Sequence, residues 1–111
     1  MTIYADNLEA FGAAAQARRS LRRYTSDAVP RPVIEQILTS GAWSPSAHNR
    51  QPWRFAVIET SERKETLARA MGARLRADLE ASHVPEPVIA KDVNRSYERI
   101  TLAPVIILLA L

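Results

Sequence analysis

Arginine is the residue with which this chain is best equipped to do chemistry. Arg18, Arg19, Arg22, Arg23 and Arg31 fall within 14 residues, and a guanidinium is the side chain suited to holding a phosphate through two parallel hydrogen bonds. In RRSLRRY, Arg18 to Tyr24, four guanidinium groups and the Ser20 hydroxyl gather around what periodicity makes a helix end. That cluster suits a dianionic phosphate or another anionic group. Three other readings stay open: a solvated face whose Arg18 and Arg19 favour the negative end of the helix dipole, a nucleic-acid contact, or a kinase target at Ser20.

A second group is SPSAHNRQPW, Ser44 to Trp53. Short polar side chains held between Pro45 and Pro52 can present backbone and amide hydrogen bonds to a planar ligand, and the prolines limit the conformations they must give up to do so. The competing reading is an ordered connection in which Asn49 and Gln51 satisfy nearby backbone groups and Trp53 fills core.

The elements that must position these groups follow from pattern. Leu8, Phe11 and Ala15 predict a helix over Asp6 to Arg19, with Asp6 and Glu9 spaced as a capping box. Thr25 to Pro30 reads as a turn. Ile34, Ile37, Leu38 and Gly41 predict a second amphipathic helix, its Pro30 and Pro32 tolerated because they stand at its start. Trp43 to Pro52 is loop chemistry. WRFAVIE, Trp53 to Glu59, reads as a strand buried on both faces. Leu67, Met71, Leu75 and Leu79 make the core stripe of a third helix over Glu62 to Ala81, opposite Arg63, Arg69, Arg74 and Arg76. After a Pro-bearing break at Val84 to Pro87, a fourth helix is marked by Ile89, Val93, Tyr97 and Ile100, and APVIILLAL then reads as a buried strand.

With 111 residues, 47% of them hydrophobic and 24% charged, the chain is long enough for one small globular domain, 1–111, and is not disordered. No internal repeat or linker divides it. There are no cysteines, which excludes disulfides, thiolate metal sites and a cysteine nucleophile. Two histidines, His48 and His83, are too far apart in sequence and too poor in acidic company to suggest a metal site. His48 stands in the loop, where it can tune a substrate. The longest apolar run, Ala103 to Leu111 with Pro104 inside it, is short of the roughly 20 residues a spanning helix needs. The first ten residues lack the basic start and apolar core of a secretory signal, so a cytoplasmic location is the expectation. A near-continuous apolar strand wants neighbours on both edges, and nothing follows it here, so the domain reads as truncated at its C-terminus.

Taken together, with the intervening helix beginning VPRPVIEQIL, the two polar groups resemble the nitroreductase family. In that family a basic R-[RH]-S-x-[RK] segment near the N-terminus precedes an APS-x-x-N-x-QPW loop that leads into a strand. The resemblance covers Leu8 to Glu59 well and Met71 to Leu111 more loosely. It implies an α+β fold of about four helices around a short sheet, completed by dimerisation or by further sequence. It also implies an enzyme that takes electrons from NAD(P)H through FMN and passes them to a nitroaromatic, quinone or similar small acceptor, with no catalytic side chain of its own.

By position, Arg18, Arg19, Ser20 and Arg22 would face the flavin, gripping its phosphate and hydrogen-bonding its ring edge, where a cation favours the reduced form. Pro45, Ser46, Ala47, Asn49 and Gln51 would contact the flavin bound mainly by the partner of a homodimer. Ser44 stands where the family commonly has Ala, Ala47 replaces a frequent small polar residue, and the family's later helices, glycine-bearing flavin contact and late basic residue have no counterpart here. MGARLRADLE and NRSYERITLAPV look most like the nitroreductase-like domain linked to deazaflavin coenzyme biosynthesis, a second reading of the function. A third is a fragment acting only through subunit association. Nucleic-acid binding is disfavoured because the Arg cluster has no reader helix or aromatic platform beside it.

Overall fold

The computed structural model describes residues 2–111 and has an α+β fold in which four helices accompany a two-stranded sheet. In chain order these are α1 (Thr2–Ala17), α2 (Arg31–Ala42), a 3-10 turn at Ala47–Asn49, β1 (Arg54–Ile58), α3 (Ser61–Ala81), α4 (Glu86–Leu102) and β2 (Ile106–Ala110).

α2 and α4 begin in the same way. Each follows Pro-x-Pro-Val-Ile, with Pro30 or Pro85 as N-cap and the next proline inside the first turn. There the missing N–H costs nothing and the fixed φ is already helical. The carbonyls of Pro30 and Pro85 accept the amides of the Val and Ile that follow, and the two isoleucines, Ile34 and Ile89, are 4% and 2% exposed. The break expected at Val84 to Pro87 is therefore a helix start built like the first.

α3 and α4 form an antiparallel hairpin, and it departs from the expected stripe. Lys64, Ala68 and Gly72 are the buried positions of α3, while Leu67, Leu75 and Leu79 are half-buried and Met71 is exposed. Small residues four apart let the helix backbones approach, so the leucines flank the seam and do not fill it. A Cβ on Gly72 would lie 3.5 Å from Val93 Cγ1. On α4 the expected Ile89 is buried and Val93, Tyr97 and Ile100 are half-buried. Thr60 caps α3 by accepting the Arg63 amide. The hairpin is clamped at one end by Arg76, which donates to Glu86 at 2.9 and 3.0 Å. Nearer the other, Tyr97 Oη donates to Glu65 at 3.2 Å. Beyond that, the ammonium of Lys64, 8% exposed, donates to the Ala103 carbonyl at the end of α4, meeting the negative end of that helix.

β1 and β2 pair antiparallel from Arg54↔Ala110 to Ile58↔Ile106. Burial on both faces of these strands is not met. Ala56 and Val57 on β1 and Leu108 and Leu109 on β2 are exposed, because each strand has one partner among the described residues and no second layer covers the far end of the ladder. α1 also departs from expectation. Starting at Thr2, it carries Asp6 and Glu9 in its interior and not at a cap, and its Leu8 and Phe11 are 71% and 73% exposed.

Candidate functional site

The basic segment leaves α1 as irregular, exposed chain. Helix geometry persists one residue past Ala17, the Arg18 amide bonding the Ala14 carbonyl at 3.1 Å. Arg19 then folds back, donating from Nη1 to the carbonyls of Gln16 at 2.8 Å and Arg18 at 2.9 Å. That satisfies helix-end carbonyls with a cation, as the dipole reading of this pair expects. Arg18 reaches the Ser20 hydroxyl at 3.5 Å, so a guanidinium and a hydroxyl stand side by side facing solvent. Arg22 and Arg23 make no ion pair or hydrogen bond among the described residues.

The loop after α2 holds its own shape. Ser46, the half-buried member, extends and accepts the Gln51 amide on its Oγ at 3.0 Å, while its carbonyl accepts the Asn49 amide at 3.0 Å. Gln51 Nε2 donates to Asn49 Oδ1 at 3.2 Å. The two amide side chains thus brace each other and not the backbone, unlike the plain-connection reading, and Trp53 is half-buried. His48, Asn49 and Gln51 have φ of 54°, 53° and 49°. Left-handed backbone at three non-glycine residues is uncommon, and each costs on the order of 1 kcal/mol or more, least for Asn. The loop therefore stores strain in order to present Pro45, Ala47, Asn49 and Gln51 to solvent.

No hydrogen bond or ion pair joins the loop to the Arg18–Arg22 segment among the described residues. What the basic segment does meet is α4, which the sequence reading had marked only by its apolar positions. Arg22, Arg23 and Tyr24 form one wall and Arg95, Arg99 and Leu102 the other of an open cleft of about 450 Å³. Lys91, Arg95 and Arg99 repeat every four residues on α4 with no acidic partner four residues away, and that spacing was the available signal. Lys64 was also missed, since a lone lysine in an arginine-rich helix gives no sign of burial. His48 lies in the loop and His83 in the turn after α3, at φ 59°. Among the described residues no group of three His, Cys, Asp or Glu side chains is gathered as metal ligands, and no helix is long and apolar enough to cross a membrane.

Comparison with known proteins bears on both groups. The chain is 44% identical over 57 residues to a NADH dehydrogenase of Thermus thermophilus, a match covering 51% of this chain and 28% of that protein. It is 39% identical over 56 residues to an iodotyrosine deiodinase of Daphnia pulex (50% and 19%) and 40% identical over 60 residues to a 4-nitrobenzoate reductase of a Nocardioides strain (54% and 24%). The matched stretch thus spans between about a fifth and under a third of these relatives' own lengths. In structure it resembles an oxidised iodotyrosine deiodinase solved with FMN and 3-iodo-L-tyrosine, with a TM-score of 0.67 at 23% identity, over 86% of this chain and 53% of that one. The profile of the nitroreductase family matches residues 15–110, which include the basic segment from Arg18, the strained loop, the helical hairpin and both strands, and the chain belongs to that family.

Proposed function

We propose that the chain is a flavin-dependent oxidoreductase subunit that binds FMN between two copies of itself. The observation that carries this is the pair of exposed polar groups, basic in one place and amide-rich in the other, with no bond between them among the described residues. Their donor sets fit the two ends of FMN. Arg18, Arg22 and the Ser20 hydroxyl are exposed donors of the kind that hold a phosphate, with Arg19 beside them. In the loop, Asn49 keeps its Nδ2 donor and Gln51 its Oε1 acceptor uncommitted among the described residues. A donor and an acceptor side by side match the alternating edge of the flavin's pyrimidine ring.

FMN, when bound, supplies the two-electron chemistry between an NAD(P)H donor and a small acceptor. The chain's residues supply the rest. Arg18, Arg19, Ser20 and Arg22 hold the anionic end and place positive charge where reduction would add negative charge. Pro45, Ser46, Ala47, Asn49 and Gln51, contributed by the second copy, orient the ring. Their strained backbone sets the donors in advance, so ordering on binding costs little. The chain exposes 9388 Å², against roughly 6,000 Å² for a compact monomer of 12.4 kDa, an excess that a covering surface such as a second copy would reduce.

A flavin titration tests the reading. The purified chain should be yellow or take up added FMN with one site per subunit; a colourless chain that binds no FMN overturns it. Because iodotyrosine deiodinases stand among the relatives, reductive dehalogenation is the second reading of the reaction. Nitroaromatic, quinone, deazaflavin and iodotyrosine acceptors assayed side by side would choose between them.

A further inference from the structure

The cleft between the basic segment and α4 is not used by the flavin reading, which takes from it only Arg22. Elsewhere on the helices, four of the five arginines are matched with acids, Arg63 being the exception. Arg31 pairs with Glu35, Arg69 with Glu65, Arg74 with Asp78, and Arg76 with Glu80 and Glu86. In the cleft the pattern stops. Arg22, Arg23, Arg95 and Arg99 form no ion pair or hydrogen bond among the described residues, and the nearby Glu98 accepts instead from Asn94 at 3.4 Å. Four arginines and one glutamate put a charge of +3 here, equal to the net charge of the whole chain.

That arrangement works against the helix that carries it. Lys91, Arg95 and Arg99 are successive i, i+4 neighbours, and like charges at that spacing weaken a helix. Asp92 and Glu98, three residues either side of Arg95, offset this only in part, because neither forms an ion pair with it. Arg99, in the last turn of α4, gains something from the helix dipole; Arg95 gains much less. A counter-anion in the cleft would reverse the sign of the interaction. The site's shape selects among anions. At about 450 Å³ it has the size of a small-ligand pocket, and its charges converge from two walls and do not run along a stripe as a nucleic-acid track would. Tyr24 and Leu102 add an aromatic and an aliphatic surface at its edge.

We propose that this cleft binds a small phosphorylated anion, a phosphate monoester or diphosphate of up to nucleotide size, held by Arg23, Arg95 and Arg99 with Arg22 at its border, at a position distinct from the flavin.

Inorganic pyrophosphate is the probe, titrated calorimetrically into the full chain, first alone and then with saturating FMN. One site per subunit should persist under FMN and weaken steeply with added salt. Arg95→Gln/Arg99→Gln should weaken pyrophosphate at least about ten-fold, since each lost guanidinium removes charge-assisted hydrogen bonds, while FMN uptake is unchanged. The same variant should melt at or above the parent temperature, because repulsion has been removed; Arg95→Lys/Arg99→Lys, keeping charge without the planar fork, should fall between. Absence of pyrophosphate binding, its loss under saturating FMN, or undiminished affinity in the glutamine variant would each overturn the proposal. So would binding of a single-stranded oligonucleotide without pyrophosphate. If the chain takes no FMN but binds pyrophosphate in an Arg95- and Arg99-dependent way, the flavin reading fails and this one stands.

Discussion

Arg19 shows how one side chain can answer to two demands. In the structure its guanidinium closes the end of α1 through the Gln16 and Arg18 carbonyls, and the function proposed above also makes it a flavin ligand. Arg19→Ala should therefore reduce FMN affinity about ten-fold or more through lost charge-assisted hydrogen bonds. It should also speed amide exchange in the last turn of α1 by removing the cap. If fluorescence titration shows full affinity, Arg19 serves the helix alone. At this scale the sequence told the residue types and their order well. It could not tell that Asn49 and Gln51 would bond to each other, or that three of the four polar positions from His48 to Gln51 would be left-handed. Those features come from loop closure between α2 and β1, which no residue announces by type.

Among the elements, the α3–α4 hairpin depends most on a detail of packing. Gly72 faces Val93 with just enough room for a methyl group. Gly72→Ala should raise stability by about 0.5–1 kcal/mol, since alanine is the better helix former. Gly72→Leu should cost about 1–3 kcal/mol by forcing the helices apart, and thermal melts of the two variants should move in opposite directions. The neighbouring Glu65 is held below the usual carboxylate range, first by the hydrogen bond from Arg69, then by that from Tyr97 and by the charge of Arg69. Arg69 also lies 5.8 Å from the centre of the Tyr97 ring. A lowered folded-state pKa contributes stability above the unfolded value near 4.3 and loses it as pH falls through the lower folded value. The melting-temperature gap between the parent and Glu65→Gln, small for so exposed a pair, should therefore close below about pH 4. Helix periodicity locates all four helices, but in α3 the stripe of leucines flanks the seam that periodicity assigns to it. Burial on a helix seam follows backbone approach, so Ala68 and Gly72 are inside although neither is strongly hydrophobic. The start of α4 was legible in principle, as the same Pro-x-Pro-Val-Ile that opens α2.

At the scale of the molecule, extent is the informative quantity. The chain has a radius of gyration of 18.1 Å and a long axis of 58 Å, whereas a compact domain of this length is near 13 Å. α1 accounts for much of this, with Leu8 and Phe11 facing solvent. A second copy covering that face would make association strong and apolar. Size-exclusion chromatography with light scattering should find a dimer of twice 12.4 kDa, and Leu8→Asp/Phe11→Asp should shift it toward monomer and release flavin. A monomer that retains FMN would contradict the shared site. That the basic segment and the loop would share no hydrogen bond within one chain could not be read from the sequence, because linear proximity says nothing of where an unpacked helix end will point.

One bond has a consequence for how such a chain can change. β1 ends at Ile58 and β2 begins at its register partner Ile106, and Lys64 reaches the Ala103 carbonyl just inside that junction. The whole helical hairpin is thus an excursion that leaves and returns at one point of a two-stranded ladder. Its length and the side chains along its outer face can drift without moving the strand register. A chain of this fold can therefore exchange or lengthen the excursion while the loop between α2 and β1 and the strand that follows it stay where they are.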